Sequence, residues 1–88
     1  MSDNTFYGAF PSDAVIVEIW EDTGGYDGAG CALAKLPNGH FMWAEYSHCS
    51  CDGPEDTMSS GTEDTIEEAR ARITEYYRTD LKPVVEAA

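Results

Sequence analysis

Apolar residues along this chain fall into three short runs of strand character and one stretch of helical character. Ala14 to Trp20 is β-branched and apolar, which predicts a buried strand. Cys31 to Leu36 reads as a second strand, and His40 to Tyr46, carrying Phe41-Met42-Trp43-Ala44-Glu45-Tyr46, as a third. Between them Pro37-Asn38-Gly39 marks a turn, because Asn-Gly supplies the positive φ of tight hairpins. Thr23 to Gly30 is a Gly-rich connector, and Ser47 to Gly61, with Gly53-Pro54 and many small polar residues, reads as a loop. Ile66, Ala69, Ile73, Tyr76 and Tyr77 then recur at steps of three and four, which predicts one helix over residues 63–78 with these side chains on a shared face. Ser60 or Thr62 can cap it. Glu63, Asp64, Glu67 and Glu68 suit the positive end of its dipole, and Glu68–Arg72 and Glu75–Arg78 fall at helical neighbour spacing. Pro83 stops any continuation, and Val84 to Ala88 adds a short strand or frays.

These elements predict an α+β fold: one compact domain over residues 1–88, with an antiparallel sheet of three or four strands and one C-terminal helix on a face. Ala32, Ala34 and Ala44 are small residues at alternating strand positions, where a helix can approach closely. The other face then gathers Trp20, Leu33, Phe41 and Trp43, and the segment holding Phe6, Tyr7 and Phe10 is available to cover it.

Composition changes the picture through charge. The chain has 88 residues with 17 acids against five Lys and Arg, a net charge of −12. Residues 1–62 hold ten acids and the single cation Lys35. Such a chain does not bind nucleic-acid backbone directly, and an anionic membrane surface repels it. No apolar run approaches the roughly 20 residues that span a bilayer, and the N-terminus lacks a basic leader, so a cytoplasmic location is expected. At 42% hydrophobic residues the chain is too apolar for a disordered acidic tail.

Candidate chemistry is sparse. His48, Cys49 and Cys51 sit within four positions, with His40 and Cys31 elsewhere, and a zinc or redox site is the alternative reading they support. Zinc is usually held by two chelating pairs, and here there is one C-x-C. A Cys–His nucleophile is disfavoured because a strongly negative field raises a thiol pKa, and 88 residues leave little room for a substrate pocket. The Gly24 to Gly30 stretch lacks the Lys-Ser or Lys-Thr of a phosphate loop and precedes a strand rather than a helix; EF-hand spacing is absent. The expectation is a non-enzyme with no cofactor.

The charge itself is the stronger signal. Acidity that serves only solubility is usually interspersed with cations, which relieve self-repulsion, and such relief is nearly missing over 62 residues. The physical use of the resulting field is to bind a basic surface, above all the nucleic-acid site of another protein. Carboxylates at i and i+2 on a strand stand about 6.6 Å apart, a spacing a phosphate-binding cleft can accept. The residues expected to make the contact are Glu18, Glu21, Asp22 and Asp27, with Glu45 on the hairpin and Asp52, Glu55 and Asp56 as a second cluster. Glu18 and Glu45 fall mid-strand, where acids are depleted, so each is expected to face solvent or a partner.

In its size, acidity, short sheet with a helix and aromatic set, and in the stretches Met1-Ser2-Asp3-Asn4-Thr5-Phe6-Tyr7-Gly8 and Tyr46-Ser47-His48-Cys49-Ser50-Cys51-Asp52-Gly53, the chain resembles small phage-encoded inhibitors of host defence, in particular the DNA-mimic anti-CRISPR proteins. That resemblance implies a partner in a CRISPR effector subunit that reads the PAM or holds DNA, met through Lys and Arg on that subunit.

Overall fold

In a computed structural model of the chain, residues 6, 8–22, 28–48 and 57–83 are described. Strands β1 (Val15–Asp22), β2 (Gly28–Lys35), β3 (Phe41–His48) and β4 (Ser59–Glu63) run as an antiparallel meander. Helices α1 (Ile66–Arg72) and α2 (Glu75–Arg78) follow, and β5 (Lys82–Pro83) returns to pair with β1 at Glu18 and Ile19. The sheet order is β4-β3-β2-β1-β5. This is the expected α+β class with a larger sheet. Ser59–Glu63, expected as the end of a loop, a helix cap and the first helical residue, is a strand because its backbone completes the outer edge of β3, despite a sequence with little β propensity. The second addition is a two-residue pairing at Pro83, whose place on the sheet edge spares it a ladder donor.

Strand β2 is the centre. Cys31, Ala32, Leu33 and Ala34 are all fully buried, so both faces of this strand are covered and its sequence shows no apolar–polar alternation. On one face Ala32, Ala34 and Ala44 lie beneath Phe6, Phe10 and Ala14, with Tyr46 among them. On the other, Cys31 and Leu33 meet Ala69 and Ile73, flanked by Trp20, Phe41, Trp43 and Tyr77. The covers are therefore exchanged relative to expectation. The helices sit on the large sheet residues, and the N-terminal segment sits on the alanines. Volume explains the exchange. Helix α1 presents small Ala69 to Leu33, whereas the N-terminal segment brings two stacked phenylalanines, ring centroids 5.8 Å apart, which need small partners below. Phe6 holds a left-handed φ of 48° to take this place, a conformation a bulky residue adopts only when packing demands it.

A β-bulge explains the unbroken apolar run in β1. Ile16 pairs with Ala34 and Glu18 with Leu33, leaving Val17 as the extra residue. Ile16 and Ile19 consequently both join the alanine face, while Val17 and Trp20 join the helix face. The bulge also turns Glu18 toward the helices.

The β2–β3 turn keeps the expected residues in a longer form. The Gly39 amide donates to the Leu36 carbonyl and the Leu36 amide to the His40 carbonyl, and Gly39 carries the left-handed φ of 90°. Asn38 has negative φ and its side chain accepts from the His40 amide.

The single helix expected over residues 63–78 is two short helices. Thr65, not Ser60 or Thr62, caps α1, accepting from the Glu68 amide at 3.1 Å. Ile73 is extended at φ −77°, ψ 140° and buried at 2%, so the chain leaves the helix there to drop an isoleucine into the core. Both tyrosines lie on α2 beyond the break, and only Tyr77 packs inward; Tyr76, expected on the same face, is 75% exposed.

Candidate functional site

Three carboxylates rise from the helix side of the sheet, and each holds the helical segment. Glu18, turned by the bulge, pairs with Arg70 at 2.5 Å. Glu63, at the end of β4, pairs with Arg72 at 3.1 Å. Glu45, from β3, accepts from the Thr74 amide at 2.7 Å and the Thr74 hydroxyl at 2.8 Å, tying the N-cap residue of α2 to the sheet, while that residue's side chain makes no capping bond. Glu18 and Glu63 side chains are each only 19% exposed. Glu18 and Glu45, expected to face solvent or a partner, are therefore tethers of the α1–α2 segment. The helix arginines likewise do not follow the expected neighbour pattern: Arg72 reaches back to Glu63, while Glu68 accepts from the Thr65 hydroxyl at 3.1 Å. The reason is partial burial, which makes a carboxylate under a helix costly unless a cation or N–H meets it.

Glu21 accepts a hydrogen bond from the Tyr46 hydroxyl at 2.8 Å, which satisfies the polar end of a 1%-exposed ring. Asp22 is exposed at the end of β1, opposite Ala29. Asp27, Asp52, Glu55 and Asp56 lie outside the described residues, as do Cys49 and Cys51 of the metal alternative. His48 ends β3 opposite Gly28. Among the described residues no group of three His, Cys, Asp or Glu is arranged to hold a metal ion. Cys31 is fully buried, its Sγ 3.8 Å from the Tyr77 carbonyl. Burial, with the carboxylates of Glu45 and Asp80 nearby, pushes its thiol up to about 12, the opposite of an activated nucleophile. His40 Nε2 lies 3.2 Å from Asp64 at the corner between β4 and α1. An open hollow of about 320 Å³ lies beside that corner, lined by Glu63, Glu68, Ala71 and Arg72.

What sequence reasoning passed over is the outer side of the helical segment. Asp64, Glu67, Glu68, Glu75 and Asp80 are exposed there, with Tyr76 among them. Ile73, Tyr76 and Tyr77 fall at i, i+3 and i+4, the spacing of one apolar stripe, so local spacing carries no signal that Tyr76 stands exposed. No protein family, characterised protein or solved structure matches this chain. Among the described residues no helix is long and apolar enough to cross a membrane.

Proposed function

We propose that this chain is a non-catalytic acidic module that occupies a basic, nucleic-acid-binding site on another protein, the mode of a DNA mimic and of an anti-CRISPR inhibitor directed at a CRISPR effector subunit. The observation that carries the reading is how the few cations are used. Arg70 and Arg72 are drawn back to sheet carboxylates, so two of the five cations neutralise tethers rather than the outer surface. The outer side of α1 and α2 and the end of β1 keep exposed acids at Asp22, Asp64, Glu67, Glu68, Glu75 and Asp80. A field of that sign and extent attracts Lys and Arg and repels nucleic acid and anionic lipid. The contact set is accordingly moved: Glu18 and Glu45 leave it, Asp22 stays, and the helix acids enter.

Affinity capture tests the reading. Tagged protein is incubated with a bacterial lysate containing CRISPR effector complexes. Captured proteins should be nucleic-acid binders, released both by excess duplex DNA and by half-molar salt, because exposed ion pairs are screened within about 8 Å at physiological ionic strength. Capture indifferent to DNA and salt overturns the proposal.

A further inference from the structure

Three aromatic rings form a continuous path from the sheet to the surface of α2. Trp20, on β1, stacks on Tyr77 with ring centroids 5.6 Å apart and 22° between planes. Tyr77 meets Tyr76 edge to face at 5.7 Å and 69°. Burial falls along the path: Trp20 and Tyr77 are half-buried, and Tyr76 stands 75% exposed, one of two exposed large hydrophobic residues among those described. A ring in this position gains little from burial and is not needed by the core, since Ile73 and Tyr77 already cover Cys31 and Leu33.

Acids outnumber cations at this end of the molecule, where exposed Lys82 lies opposite Ile19 and Arg78 ends α2. Glu75 and Asp80 flank the tyrosines in the chain and are exposed. Asp22 lies two residues beyond Trp20 on the same face of β1. Glu45 and Asp80 both act on the Cys31 thiol beneath Tyr77, so their fields converge under the rings. Arg78, half-buried at the end of α2, is the cation of that helix.

We infer that the exposed face of Tyr76, backed by Tyr77 and Trp20 and flanked in the chain by the exposed acids Glu75 and Asp80, is a docking surface for arginine side chains of a basic partner. Charge complementarity selects a cation, and the aromatic face selects among cations. A guanidinium is planar, weakly hydrated and able to stack on a ring while its edge N–H groups reach carboxylates, whereas an ammonium is a compact and strongly hydrated point charge. The inference rests on the acidic-module reading and adds to it a preference for arginine over lysine, located at one residue.

The experiment titrates octa-arginine and octa-lysine peptides into the full-length protein at low salt, followed by isothermal calorimetry and by the fluorescence of Trp20, which lies in the stacked path. Octa-arginine should bind about two- to five-fold more tightly than octa-lysine, the factor an exposed cation–π contact provides. Tyr76→Ala should abolish that preference by weakening octa-arginine binding more than octa-lysine binding, and Tyr76→Phe should retain it. Because Tyr76 is outside both cores, both variants should keep the wild-type circular dichroism spectrum. Equal affinities for the two peptides, or a preference that survives Tyr76→Ala, overturn this inference and leave the acidic-module reading standing. Failure of both peptides to bind overturns both.

Discussion

Replacing Gly30 with alanine would test the packing of the alanine face, and with it the placement of Glu21. A Cβ built on Gly30 would lie 2.6 Å from Tyr46 Cε2 and 2.8 Å from both Cζ and the hydroxyl oxygen. Tyr46 is 1% exposed, tilted 47° against Phe6 with centroids 5.7 Å apart, and anchored by its hydroxyl on Glu21. It cannot yield without displacing the N-terminal cover or giving up that hydrogen bond. Overpacking of this kind costs about 1–3 kcal/mol, and a lost hydrogen bond adds ~1 kcal/mol. The lower conformational entropy of unfolded alanine offsets at most ~1 kcal/mol of this. A net loss of about 2–3 kcal/mol corresponds to a fall in Tm of ~8–20 °C for a domain of this size. Gly61→Ala provides the control. Its Cβ would meet Trp43 Nε1 at 2.8 Å, but β4 is an edge strand and Trp43 is half-buried, so both can shift and the cost should be ~1 kcal/mol or less. Thermal denaturation by circular dichroism reads both. Placing Gly30→Ala in a Tyr46→Leu background should recover part of the loss, because the shorter side chain vacates the space. A Gly30→Ala protein that melts within 2 °C of wild type, or loses no more than Gly61→Ala, would refute the packing argument.

Glu45→Ala leaves the Thr74 amide and hydroxyl without their acceptor and should cost about 1–2 kcal/mol in urea denaturation, with amide exchange at residues 74–78 accelerated more than in β2. The Glu18–Arg70 pair should show a coupling of ~1 kcal/mol in a Glu18→Gln, Arg70→Met double-mutant cycle, and Glu68–Arg72 none. Cys31 carries a thiol pKa raised in the folded state, so the unfolded chain loses its proton first on alkalinisation; stability should fall from about pH 9 toward 12 with a slope up to ~1.4 kcal/mol per pH unit, and Cys31→Ala should remove that contribution from the pH profile of urea stability. Tm should rise with added salt as the self-repulsion of a −12 chain is screened, opposite to the effect on partner capture; a Tm that falls with salt would show that internal ion pairs outweigh repulsion.

The parts of the fold that were readable in the chain depend on local patterns: three strands expected over 14–20, 31–36 and 40–46, a Gly39 turn and helical spacing after Thr65; the strands run on to Asp22, start at Gly28 inside the expected connector and end at His48 inside the expected loop, because ladder pairing with a neighbour extends them past their apolar runs. The parts that were not depend on tertiary partners. Ser59–Glu63 has no strand pattern of its own and is ordered by the free edge of β3. The helix break at Ile73 and Thr74 interrupts a good heptad-like spacing because a buried isoleucine and the Glu45 carboxylate together stabilise an extended backbone there. Which cover lies on which face was invisible to alternation alone, since alternation separates two faces without saying what each meets. For the site, mid-strand acids were rightly recognised as exceptional. Their explanation lay in a bulge and in partners far along the chain, Arg70 52 residues from Glu18 and Thr74 29 residues from Glu45, which no local rule connects.

The separation of carboxylates into two populations bears directly on how mutations at this surface should be read. Glu18, Glu45 and Glu63 hold α1 and α2 to the sheet, so reversing their charge loosens the very segment that carries Glu67, Glu68, Tyr76 and Asp80. A loss of binding in such variants would follow from displaced acids as readily as from lost contacts. The informative reversals are therefore those on exposed acids without a tethering role. Glu67, Glu75 and Asp80 changed together to Lys raise the net charge from −12 to about −6 and leave every sheet-to-helix tether in place. If the field as a whole drives association, binding should weaken in proportion to charge wherever the lysines are placed, and an equal change of six charge units, made by Asp13→Lys with lysines at four neutral exposed positions away from α2, should do equal damage. If α2 is the docking face, the helix triple should weaken binding far more than the distant set at equal net charge, and salt should no longer modulate what remains.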